Sequence, residues 1–76
     1  MTRERNPLNL KKLQGSKWTA IHPERKEKHF IVLGWERDER GNPTQRVEIE
    51  AVYTGAVRRL QWRQLADTEQ WLVGWL

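Results

Sequence analysis

Hydrophobic and polar positions along this chain alternate more often than they recur at helical spacing, and the alternation predicts strands. In the clearest stretch Val47, Ile49, Ala51 and Tyr53 alternate with Arg46, Glu48 and Glu50. A period of two describes a strand with one dry and one wet face. Thr54-Gly55 follows and reads as a two-residue hairpin turn, glycine supplying the positive φ that such turns require. This turn sets Tyr53 opposite Ala56, Ala51 opposite Arg58, Ile49 opposite Leu60, Val47 opposite Trp62, and Glu50 opposite Arg59. Upstream, Phe30-Ile31-Val32-Leu33 is a continuous apolar run inside a strand from His29 to Arg37, covered on both faces. Gly34 within it marks a bulge or sharp bend. Asp38 to Pro43 is a turn, rich in charge and containing Gly-Asn-Pro.

The ends are less regular. Asn9 is expected to cap a short helical turn through Leu10 to Leu13, with Gly15 ending it. Ser16 to His22 reads as a strand, Trp18 and Ala20 on one side, Thr19 and Ile21 on the other, stopped by Pro23, which cannot donate to a ladder. Pro23 to Lys28 then reads as a charged connection. Asp67 to Leu76 reads as a short helix, with Asp67 and Gln70 at capping-box spacing and Trp71 and Trp75 four apart on one face. The expected fold is mainly β: a small antiparallel sheet or an SH3-like barrel of four to five strands, with a short C-terminal helix. Residues 1–6 are expected to be a flexible basic tail, and residues 7–76 a single β-rich domain.

With 76 residues, 37% of them hydrophobic and 32% charged, the core must be small. The chain has no cysteine, so neither disulfides nor thiolate metal sites can reinforce it. Five tryptophans can instead, since each buries roughly 150–250 Å². The hairpin register puts Trp62 on the dry face, and the terminal helix uses Trp71 and Trp75 to dock. Trp18 and Trp35 are the two whose burial the pattern does not dictate. Residues 1–28 carry eight basic side chains against three acidic, and residues 29–76 six arginines against seven acids. All the lysines lie in the first segment. Such asymmetry attracts phosphate or an acidic partner, or simply keeps a small domain soluble.

Ser16-Lys17-Trp18-Thr19-Ala20, Glu27-Lys28-His29-Phe30, Glu50-Ala51-Val52-Tyr53, Trp62-Arg63-Gln64-Leu65 and the ending Trp71 to Gly74-Trp75 resemble a small tryptophan-rich family of bacterial proteins. The resemblance runs from about residue 6 to the end. It implies a freestanding module, and it brings no catalytic or binding residues, the family being one of unknown function.

No catalytic set is expected. Ser16 is the sole serine, and His22 and His29 are separated by a proline and a charged loop without metal-ligand spacing. Glu48 and Glu50 share a face, but Glu50 is expected to meet Arg59. No cofactor or metal is implied. The expectation is a non-enzymatic binding module, a protein-interaction or adaptor domain whose partner is another protein or a second copy of the chain. The alternative is weak binding of single-stranded RNA through basic residues and exposed tryptophans. The candidate surface for either comprises Lys11, Lys12, Lys17, Trp18, Trp35 and Arg37. Without a signal-like start or an apolar run of membrane length, the chain is expected in the cytoplasm and off membranes.

Overall fold

A computed structural model describes residues 8–76; the tail expected at residues 1–6 lies outside the described residues. Five strands form one antiparallel sheet: β1 (Lys17–Glu24), β2 (Glu27–Arg37), β3 (Pro43–Ala51), β4 (Val57–Gln61) and β5 (Trp71–Val73). Their order is β4-β3-β2-β1-β5, a meander whose last strand returns beside the first. No ladder joins β4 to β5, so the sheet is open rather than a closed barrel.

Alternation builds the core as the pattern predicts. Val47, Ile49 and Ala51 of β3 are buried, packed beside Phe30 and Val32 of β2 and Trp18 of β1. Trp35, Leu60, Trp62 and Trp71 pack on the margins of this cluster. Two 3-10 turns close the same face. The first, Leu10–Lys12, is capped by the Asn9 side chain, which accepts from the Lys11 N–H, and brings in Leu13. The second, Trp62–Ala66, drives Leu65 into the core with no exposed area. At Gly34 the register slips between Val32 opposite Ile49 and Gly34 opposite Glu48, the bulge expected of a glycine inside that run.

Several expectations need correction. Residues 67–76 form no helix. Asp67 instead opens a turn, its side chain accepting from the Glu69 N–H and its carbonyl from the N–H groups of Gln70 and Trp71, and Trp71–Val73 continues as β5 against β1. The β3–β4 connection is four residues, Val52 to Gly55, not two. Gly55 (φ +77°) takes the left-handed position at its end, donating to the Ala51 carbonyl. The register therefore slides by two: Ile49 lies opposite Arg58, Val47 opposite Leu60, and Glu48, not Glu50, opposite Arg59. Trp62 falls in the 3-10 turn, and Tyr53 at the loop is 75% exposed instead of joining the dry row. Finally, Pro23 does not end β1, which runs on to Glu24. The β1–β2 register is interrupted between Thr19 and Glu24, so a missing N–H is tolerated there.

The charged connection after Pro23 is itself a tight hairpin turn. Glu24 pairs with Glu27, leaving Arg25 (φ 53°) and Lys26 (φ 65°) as the two turn residues. Positive φ at both positions is the backbone of a type I′ turn, for which Asn-Gly is the relaxed sequence. A side chain with a Cβ in this region costs about 1–2 kcal/mol per residue.

Candidate functional site

The sequence-predicted surface is dispersed. Lys17 and Trp18 are neighbours on a strand and project to opposite faces. Trp18 is 2% exposed, its indole N–H donating to the Ser16 hydroxyl, and offers no ring for a ligand to stack on. Trp35 packs half-buried against the core. Arg37 donates to the Gly41 carbonyl inside the β2–β3 turn, and Lys11 and Lys12 are exposed on the first 3-10 turn. Lys17 does find an aromatic partner, Trp75, 4.8 Å from its ammonium. That ring, 42% exposed, lies across the sheet with its indole N–H donating to the Phe30 carbonyl, and the adjoining Leu76 N–H and Gly74 carbonyl bind the buried Thr19 hydroxyl. Trp75, expected to dock into the core, is thus the more exposed ring, and Trp18, whose burial the pattern left open, lies in the core. His29 is partly buried and hydrogen-bonded, as its position beside the apolar run suggests, with Nε2 2.8 Å from the Leu76 carbonyl.

Two features of the opposite edge are better candidates. The first is β4 itself, which has a neighbour on one side only. In an antiparallel ladder, residues of hydrogen-bonded pairs turn both backbone groups toward the partner, and the alternate residues turn theirs away. The Ala51 N–H donates to the Ala56 carbonyl, which makes Ile49–Arg58 and Val47–Leu60 the hydrogen-bonded pairs. Val57, Arg59 and Gln61 consequently present their N–H and C=O groups outward. The Gln61 N–H is satisfied by the Gln64 side chain, whereas Val57 and Arg59 lie on the open run of the edge. Between β4 and β1 the sheet leaves a cleft of about 280 Å³, lined by Phe30, Ile49, Leu60 and Trp71 together with charged and polar residues of β1, β2 and β4, Glu27 and Arg58 among them. Phe30 and Trp71 meet there edge to face, with ring centroids 5.3 Å apart.

The second feature is the end of the sheet where the β1–β2 turn meets the β3–β4 loop. Glu27, 5% exposed, ties them together: the Thr54 hydroxyl donates to one carboxylate oxygen at 2.6 Å, and Arg58 donates through Nε and Nη2 to the other. The Thr54 hydrogen bond, then that of Arg58, holds the Glu27 carboxyl below its ordinary pKa, against an opposing push from burial; the charges of Arg58 and Arg25 add to the lowering. A buried carboxylate so satisfied is a structural anchor, and it fixes a loop that presents Tyr53 to solvent. Farther along the same strands Arg46 binds Glu36 through two nitrogens, and the Arg59 side chain reaches both Glu36 and Glu48.

Three of these elements escaped the sequence reading. Glu27 stands in a charged stretch that resembles any solvated loop, and only its partners, 27 and 31 positions away, mark it as buried. The Arg25-Lys26 turn lacks the Asn-Gly or Asp-Gly signal by which short hairpins are found. Tyr53 continues the alternation of β3 by one step too many, and the only counter-signal was Gly55, whose positive φ suits a longer loop equally well.

Among the described residues, no cluster of three or more His, Asp or Glu side chains could hold a metal ion, and no helix is long and apolar enough to cross a membrane. No curated protein and no solved structure matches the chain. Residues 16–76 match the family described as tryptophan-rich protein (DUF2389), which spans β1 to the end of the chain and contains every residue of the β4 edge and the Glu27 anchor. The chain therefore belongs to this tryptophan-rich family.

Proposed function

We propose that the chain is a non-catalytic protein-interaction module, and that it captures an extended segment of a partner protein by strand addition at β4. The observation that carries this reading is the outward set of backbone groups on Val57 and Arg59, beside a cleft lined by aromatic and aliphatic side chains together with charged ones. Strand addition draws affinity from main-chain hydrogen bonds and specificity from pockets for alternate side chains. β4 supplies outward main-chain groups, and the cleft beside it supplies a place for a side chain of the added strand. A second copy of the chain is a poor occupant. Antiparallel self-pairing centred on β4 sets Arg59 against Arg59, or Arg58 against Arg58, and like charges directly opposite destabilise a ladder. Single-stranded RNA is supported less well, because Trp18 is buried and Trp35, Trp62 and Trp71 pack on the core, leaving few rings for successive bases.

Val57→Pro tests the reading. Proline there removes an outward N–H at the first residue of an edge strand, a position that tolerates it. A photoreactive amino acid placed at Tyr53 is expected to yield a discrete protein adduct in the native cell, lost when Val57→Pro is added while the fold persists. An adduct indifferent to the proline, or adducts to nucleic acid alone, would refute strand addition.

A further inference from the structure

We propose that the partner segment is acidic where it leaves the sheet, and that the strained Arg25-Lys26 turn is the site that receives this acidic flank. The inference rests on strand addition at β4 and names the chemistry of what is added. A strand antiparallel to β4 runs in the direction of β3 and emerges at the β3–β4 loop. The β1–β2 turn lies at that same end: Thr54 and Arg58 both bind Glu27, which closes the turn, and the Val52 N–H donates to the His29 carbonyl at 2.9 Å. Residues of the partner beyond the added strand thus leave the sheet at the end that carries Tyr53, Arg58 and the Arg25-Lys26 turn.

Three properties of this end favour carboxylates. Arg58 spends Nε and Nη2 on Glu27, but a guanidinium carries five N–H donors, and this side chain remains 46% exposed. Its unused Nη1 edge is shaped to accept a second carboxylate. Arg25 and Lys26 are exposed at the tip and add two further cations. Most telling is the backbone. Both turn residues hold positive φ, where Asn-Gly would be relaxed, so the turn carries strain in order to display an arginine and a lysine. A backbone of this kind persists where its surroundings hold it, and it clusters at binding and switch sites. A peptide suits the site better than a nucleic acid, because the neighbouring edge offers backbone hydrogen bonds and only one strongly exposed ring, Tyr53, stands at this end; Trp75 lies over Lys17 at the start of β1.

The experiment is an amide NMR titration of the full chain with two peptides, each of alternating valine and threonine residues, one ending in a run of glutamates and the other in glutamines. Both should shift the Val57 and Arg59 amides, and the glutamate peptide should bind at least about tenfold more tightly at low salt, where exposed charges are least screened. In the R25N/K26G variant that preference should collapse to within about twofold while the β4 shifts persist, and the urea midpoint should rise as the turn relaxes. Equal binding of the two peptides would overturn the acidic-flank inference and leave strand addition standing. Glutamate-dependent shifts at Arg25 and Lys26 without any at β4 would support the cationic site and refute strand addition. A short mixed-sequence RNA that outcompetes the glutamate peptide at the same turn would overturn the choice of partner. A variant with a lower urea midpoint than the parent would overturn the claim of strain.

Discussion

Replacing Ile49 by alanine tests how the sheet is held together. Ile49 lies at the centre of β3, 2% exposed, opposite Val32 on one side and Arg58 on the other. The change deletes three carbon atoms from a packed site, and at about 0.8 kcal/mol per buried methylene the transfer loss is about 2.4 kcal/mol. The cavity left behind adds to this, so a total of about 2–5 kcal/mol is expected. A chain of 76 residues has about 4–11 kcal/mol of stability in all, at the usual value per residue. Ile49→Ala should therefore remove a large share of it. With an m-value of about 1 kcal/mol/M for so small a domain, the urea midpoint falls by about 2 M or more. Tryptophan fluorescence reports the transition. Tyr53→Ala serves as the control, because a residue 75% exposed on a four-residue loop should change stability by less than about 0.5 kcal/mol. An unchanged midpoint for Ile49→Ala, or equal losses for both variants, would refute the placement of the dry row.

Other substitutions probe the remaining supports. Leu65→Ala should cost about 2–5 kcal/mol in urea denaturation, since the 3-10 turn after β4 is seated by this one fully buried side chain. Glu27 binds its partners as a carboxylate, and its folded pKa lies below the unfolded value. Its contribution is therefore complete above the ordinary carboxylate range and is lost as pH falls through the lowered folded value. Glu27→Gln should flatten the acid limb of a stability–pH profile, and a limb of unchanged steepness would contradict the anchor. Trp75→Phe removes the indole donor to the Phe30 carbonyl and should lower stability by about 1 kcal/mol, measured by thermal unfolding, with no change in the β4 amide shifts.

Much of the fold is written locally. Asn9 before Leu10, Gly34 inside an apolar run and the Val47–Ile49–Ala51 alternation each carry a short-range signal, and each does in the structure what that signal demands. The C-terminal segment misleads because its local chemistry is ambiguous. An aspartate whose side chain accepts a backbone N–H begins a turn as readily as a helix, and Trp71-Leu72-Val73 is too short for periodicity to decide. What decides it is the unpaired side of β1, and that depends on the whole sheet. The hairpin register fails for a related reason. Sliding by two preserves which residues face inward, so the hydrophobic pattern cannot tell the two registers apart. The loop length settles it, through Glu27 reaching Thr54 and Arg58 from a distant strand. The candidate site was the least legible part, because an edge is defined by what does not pair with it and a strained turn by dihedral angles.

The outward groups of β4 can be tested directly by amide hydrogen–deuterium exchange on the free chain across Val57 to Leu60. An open edge predicts alternation: the Arg58 and Leu60 amides, bonded to β3, are protected, while those of Val57 and Arg59 exchange at rates close to those of solvated loops. Protection at all four would contradict it, showing that the edge is already occupied by a second copy of the chain or by the chain itself.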